Sequence, residues 1–111
     1  MQIPSLNIVG AGRLGQTLGR LFHINQCFRI NGICNSNLIS AQKAVDFIGA
    51  GLACSTFDQL PPADTIMIAT PDAMIGKIAF ALENIPAMQT SKLVFAAEQR
   101  FLPCYQHTKN W

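Results

Sequence analysis

Apolar positions along this chain change period in an orderly way. Leu6-Asn7-Ile8-Val9 is a short strand-like run; beyond a glycine cluster, Leu14, Leu18, Leu21 and Phe22 recur at spacings of three and four, which predicts one buried helix face. Phe28 to Cys34 returns to alternation and predicts a second strand, and Asn35-Ser36-Asn37 supply turn and cap chemistry. Leu38, Ala41, Val45 and Ile48 then predict a second helix, which Gly49 and Gly51 end. Leu52-Ala53-Cys54 has room only for a brief third strand. Phe57 to Pro62 is held to about one helical turn by its two prolines and reads as a connector.

Thr65-Ile66-Met67-Ile68-Ala69 is a near-continuous apolar run, as expected of a central parallel strand buried on both faces. Asp72 can cap a third helix with Ile75, Ile78, Ala79 and Leu82 as its apolar stripe, closed by Pro86, and Leu93 to Ala97 predicts a fifth strand. Strands and helices alternating at this rhythm imply right-handed crossovers. The predicted fold class is therefore α/β, a doubly wound, mainly parallel sheet of about five strands with helices on both faces. Residues 1–97 are expected to form that one domain. Residues 98–111 break the rhythm and carry the chain's tyrosine and tryptophan, as a terminal arm would.

The glycine cluster is Gly10-Ala11-Gly12-Arg13-Leu14-Gly15, a G-x-G-x-x-G run that follows a strand and opens a helix. In that context the three glycines serve different ends. Gly10 permits a sharp turn, Gly12 lets a pyrophosphate approach the main chain, and Gly15 allows close helix–sheet packing. Gly19 lies on the same helical face. A mid-helix glycine costs about 1 kcal/mol relative to alanine, so a compensating close contact is expected there. The unpaired N–H groups of the first helical turn and the positive end of its dipole would face the phosphates. The pattern points to a dinucleotide cofactor held in a Rossmann-type domain.

Composition narrows the partners. The chain has 111 residues, half hydrophobic and 13% charged, with a formal charge of +2 and a pI near 8.5. Its basic residues are scattered, so no nucleic-acid or acidic-membrane footprint is predicted. The start lacks the basic character of a signal peptide, and the apolar run Leu93 to Ala97 is too short to span a bilayer, so a cytoplasmic protein is the expectation. Cys27, Cys34, Cys54 and Cys104 form no C-x-x-C pair and have no histidine at metal-ligand spacing; they read as buried thiols, with no metal site. His23, Tyr105 and His107 carry no pattern that would mark a catalytic residue.

The end of the second strand decides which dinucleotide is expected. An acid there would accept hydrogen bonds from the adenosine ribose and favour NAD, whereas Asn35-Ser36-Asn37 offers amides and a hydroxyl. These groups can donate to a 2′-phosphate. Arg13 could add charge, with Lys43 a weaker candidate, so NADP is favoured over NAD. The missing acid also argues against an S-adenosylmethionine site. Thr70-Pro71-Asp72 follows the fourth strand, at the strand ends where open α/β sheets bind ligands, and would line the path to the nicotinamide.

Ile8 to Gly15, then Asn35-Ser36, then Ile68 to Asp72, together resemble the N-terminal NADP-binding domain of pyrroline-carboxylate-reductase-like and 6-phosphogluconate-dehydrogenase-like oxidoreductases. The resemblance covers about Leu6 to Ala97. It implies that the glycine loop (Gly10, Ala11, Gly12, Arg13, Leu14 and Gly15) holds the pyrophosphate, that Asn35 and Ser36 meet the 2′-phosphate, and that Thr70 and Pro71 border the nicotinamide. Relatives follow the fifth strand with a loop of small residues and then a helical domain bearing substrate contacts and often a dimer interface. Ala97-Glu98-Gln99-Arg100 does not match that loop. No catalytic residue can be carried over. The expectation is thus an NADP-binding oxidoreductase domain acting on an imine, carbonyl or hydroxy acid, lacking its substrate domain unless a homodimer supplies the second wall. The alternative is a non-enzymatic NAD(P)-binding sensor, similar to the regulatory domains of potassium uptake systems, which normally place an acid after the second strand.

Overall fold

The computed structural model describes residues 3–70, 72–84 and 92–95. Five strands, β1 (Ser5–Val9), β2 (Arg29–Cys34), β3 (Leu52–Cys54), β4 (Thr65–Ile68) and β5 (Lys92–Phe95), form one sheet in the order β3-β2-β1-β4-β5. All four neighbouring pairs run parallel. Helices α1 (Arg13–Ile24), α2 (Leu38–Ile48) and α3 (Asp72–Glu83) alternate with the strands, and Phe57–Gln59 forms a single 3-10 turn. This is the Rossmann arrangement anticipated above. The order reverses between β1 and β4, so the first strand lies in the middle of the sheet, where the ends of diverging crossovers leave a crevice.

Two apolar clusters sandwich the sheet. Leu6, Ile8, Ile33, Ala44, Ile48 and Met67 pack with Leu14, Leu18 and Phe22 of α1 on one face; Val9, Cys34, Cys54, Ile66 and Ile68 pack with Ile78 and Leu82 of α3 on the other. Alternation along β1 and β4 assigns the faces. In β2 it is broken: the register passes from Leu6↔Ile30 to Asn7↔Gly32, so Asn31 is an extra residue. That bulge turns Ile30 and Ile33, three apart, into the same cluster.

The predicted helix stripes need two corrections. Leu21 is 50% and Leu38 is 55% exposed, and neither helps seal the core. In α1 the buried positions are Gly15 and Gly19, and in α2 Ala41, Ala44 and Ile48. The buried face of each helix is centred on these positions, which leaves Leu21 and Leu38 outside it. The expected contact at Gly19 is present: a Cβ there would lie 2.7 Å from Ile48 Cδ1 and 2.8 Å from Ile8 Cδ1. α2 is capped by Asn37, whose side chain accepts from the Ser40 N–H at 2.8 Å, and is ended by Gly49 in the left-handed conformation.

The connector from β3 to β4 must cross β2 and β1, about 14 Å at normal strand spacing. It covers the sheet directly instead of through a helix. Asn7 Nδ2 donates to the Pro61 carbonyl (2.6 Å) and Asn31 Nδ2 to that of Pro62 (2.9 Å). At the opposite end of β1 from the glycine loop, Asp64 accepts from the Ser5 N–H and hydroxyl, and the Ser5 hydroxyl accepts from the Asp64 N–H. These bonds hold the Asp64 carboxyl below its ordinary value, backbone donation contributing most. Pro86, residues 96–97, Cys104 and the arm 98–111 lie outside the described residues.

Candidate functional site

Three strand ends meet at the β1–α1 corner. β1 leaves the sheet at Gly10, which takes φ +80° and donates its N–H to the Cys34 carbonyl of β2 at 2.8 Å. A side chain at Gly10 would run into Thr70 Cγ2, so the end of β4 closes over the turn. The chain then folds back on itself, the Gly12 N–H donating to the Gly10 carbonyl at 2.8 Å, and α1 begins with the Gln16 N–H bonded to the Gly12 carbonyl at 2.9 Å.

No side chain caps α1, which leaves the N–H groups of Arg13, Leu14 and Gly15 without a side-chain acceptor among the described residues. Gly15 lies against the Gly10 carbonyl (3.2 Å from where its Cβ would be) and Ala69 Cβ (3.3 Å), so helix and sheet touch there. Gly12 differs. Its φ of −82° suits any residue, and a Cβ built on it meets nothing within 4 Å. The corner is therefore open at Gly12, next to the N–H groups that begin α1.

The Ala11 peptide groups face inward, where the Asn35 side chain meets both. Its Oδ1 accepts from the Ala11 N–H at 2.6 Å, and its Nδ2 donates to the Ala11 carbonyl at 3.3 Å. Gln16 Nε2 adds a 3.1 Å bond to the same carbonyl. Gln16 has no signal in the sequence, because Arg13, Thr17, Arg20 and His23 make polar residues common along α1. The structure thus brings together Gly10, Ala11, Gly15, Asn35 and Thr70. Arg13 and Ser36 are exposed beside the corner, and Lys43 is exposed on α2. Pro71 is outside the described residues, and Asp72 opens α3.

Cys34 and Cys54 are register partners and both are buried. Burial, then the neighbouring Cys54 and Asp58, pushes the Cys34 thiol up to about 11, and burial raises Cys54 as well. Both are neutral thiols at neutral pH, unsuited to nucleophilic chemistry. Cys27, by contrast with the expectation, is exposed. The hydroxyl of Thr70 is buried with no partner among the described residues. Also among them, no group of His, Cys, Asp and Glu could hold a metal ion, and no helix is long and apolar enough to cross a membrane.

No family model matches the sequence, and no curated protein matches it by sequence. Solved structures do match the fold. A protein from Bacteroides fragilis provisionally named an NADP oxidoreductase superposes with a TM-score of 0.69 over 86% of this chain at 18% identity. Prephenate dehydrogenase from A. aeolicus, solved with hydroxyphenyl propionate and NAD+, gives 0.67 over 87% at 23% identity. The chain spans about a third of each, 36% and 34% of their lengths. At these identities the shared property is the fold.

Proposed function

We propose that the chain is the cofactor-binding domain of an NADP-dependent oxidoreductase, with the pyrophosphate seated on the β1–α1 corner. Gly12 carries this reading. Its backbone conformation does not require glycine and its Cβ would enter open space, so the fold itself gives only the modest preference of glycine at a helix N-cap, where Ser, Thr, Asn and Asp rank at least as high. Bare backbone beside open space suits a group that approaches from outside the chain. The free amides of Arg13, Leu14 and Gly15 and the positive end of α1 suit a diphosphate in charge and direction.

When bound, the nicotinamide supplies the hydride donor or acceptor; the chain's own residues bind and orient. Gly10 and Gly15 fix the corner, Thr70 and Pro71 border the nicotinamide side, and the end of β2 meets the adenosine. With no carboxylate among Asn35, Ser36 and Asn37, a ribose 2′-phosphate is not repelled, and the exposed Ser36 and Arg13 can donate to it. Residues 1–97 form the cofactor wall in this reading, with 98–111 an appended arm. The wall for an imine, carbonyl or hydroxy acid comes from further protein, a second domain or a second copy of the chain, in the cytoplasm.

Titrating NADPH and NADH separately into the wild-type chain and Gly12→Val tests the proposal. Wild type should bind NADPH more tightly, and Gly12→Val should remove binding while melting within a few degrees of wild type. Equal affinity for NADH would favour the sensor reading. Binding of neither, or undiminished binding by Gly12→Val, would refute the assignment.

A further inference from the structure

The same end of β2 shows a division of labour between neighbouring residues. We infer, resting on the nucleotide-binding reading above, that Asn35 is a positioning residue that holds the glycine loop through Ala11, and that selection at the ribose 2′ position falls to Ser36 and Arg13. Asn35 occupies the place where an acid would meet the ribose, yet its amide is turned onto the main chain. The Oδ1 accepts from the Ala11 N–H at 2.6 Å and Nδ2 donates to the Ala11 carbonyl at 3.3 Å. Exchanging the two amide atoms would set NH2 against N–H and oxygen against carbonyl, so only this orientation makes both bonds.

The pair continues the sheet ladder by one step. Gly10 N–H reaches the Cys34 carbonyl at 2.8 Å and Asn35 N–H the Cys54 carbonyl at 3.1 Å, so β1, β2 and β3 are pinned in succession at their carboxyl ends. Ala11 is 1% exposed, so water cannot readily replace Asn35 as its partner. An aspartate at position 35 would keep the first bond and oppose a carboxylate oxygen to the Ala11 carbonyl. The loop is therefore built around an amide, for a reason separate from any preference for a 2′-phosphate. Ser36 and Arg13 are exposed beside it with no such commitment.

The experiment measures Kd for NADPH and NADH with wild type, Asn35→Ala, Asn35→Gln, Ser36→Ala and Arg13→Ala, alongside hydrogen exchange at the Ala11 amide. Loss of the loop contact should raise both Kd values of Asn35→Ala by a common factor, about five- to tenfold for one or two hydrogen bonds, and speed Ala11 exchange. Asn35→Gln keeps an amide able to reach a phosphate but displaced by one methylene from Ala11, so it should behave like Asn35→Ala and serves if that variant fails to fold. Ser36→Ala and Arg13→Ala should weaken NADPH alone. A loss confined to NADPH in the Asn35 variants, with Ala11 exchange unchanged, would overturn the inference and leave the cofactor reading intact. Failure of the wild type to bind either nucleotide would overturn both.

Discussion

Replacing Gly10 by alanine tests how the two loops of the site are locked together. Two costs are separable. At φ +80° an L side chain is strained by about 1–2 kcal/mol, and its Cβ would overlap Thr70 Cγ2, an overpacking cost of about 1–3 kcal/mol. Gly10→Ala should therefore lose about 2–5 kcal/mol, a fall in Tm of the order of 10–25 °C for a domain of this size. Truncating the partner should return only the steric part. Once Cγ2 is gone, the nearest atoms to the new methyl are Thr70 Cβ and N, both at 3.4 Å, an ordinary contact. Thr70→Ala alone should be mild, because it also removes a buried hydroxyl that has no partner among the described residues. The Gly10→Ala/Thr70→Ala double variant should then be more stable than the single-variant losses add up to, by about 1–3 kcal/mol, while staying below Thr70→Ala by the backbone strain. Urea unfolding of the four proteins measures every corner of this cycle. Strict additivity, or a Gly10→Ala protein within about 0.5 kcal/mol of wild type, would refute the reasoning.

Gly32→Ala should destabilise by about 1–3 kcal/mol in urea unfolding, because its Cβ would come within 2.7 Å of Pro61 Cδ and 2.8 Å of Leu60 Cδ2, where the connector lies on β2. Asp64 has a folded-state pKa below the ordinary value of 3.8, so its stabilising bonds to Ser5 are complete above that value and are lost as pH falls through the folded pKa. Melting Asp64→Asn across the acid range should give a shallower fall in Tm than wild type, and parallel curves would contradict the assignment. In native protein, peptide-resolved alkylation at neutral pH should modify the exposed Cys27 quickly and the buried Cys34 and Cys54 only after unfolding. Rapid native-state labelling of Cys34 would show that the core on the α3 face of the sheet opens.

The geometry of the β1–α1 corner was legible in the residues because its demands are local. A strand, a sharp turn at Gly10 and close helix–sheet packing at Gly15 lie within one short stretch, and each constrains residue type directly. The alternation of periods settled the α/β class, and the buried run Thr65–Ile68 marked β4 as an interior strand for the same reason, although the middle place belongs to β1. What only the tertiary structure decided involves residues far apart. The bulge at Asn31 is seen only when β2 is paired against β1, and the exposure of Leu21 and Leu38 reflects which face of each helix the sheet buries, centred on Gly15 and Gly19 in α1 and on Ala41, Ala44 and Ile48 in α2. The Asn35 amide could equally have capped a helix, met a ribose or held Ala11, 24 residues back. A side chain's hydrogen-bonding capacity is written in its identity, but the partner that claims it depends on what the folded chain leaves unsatisfied nearby.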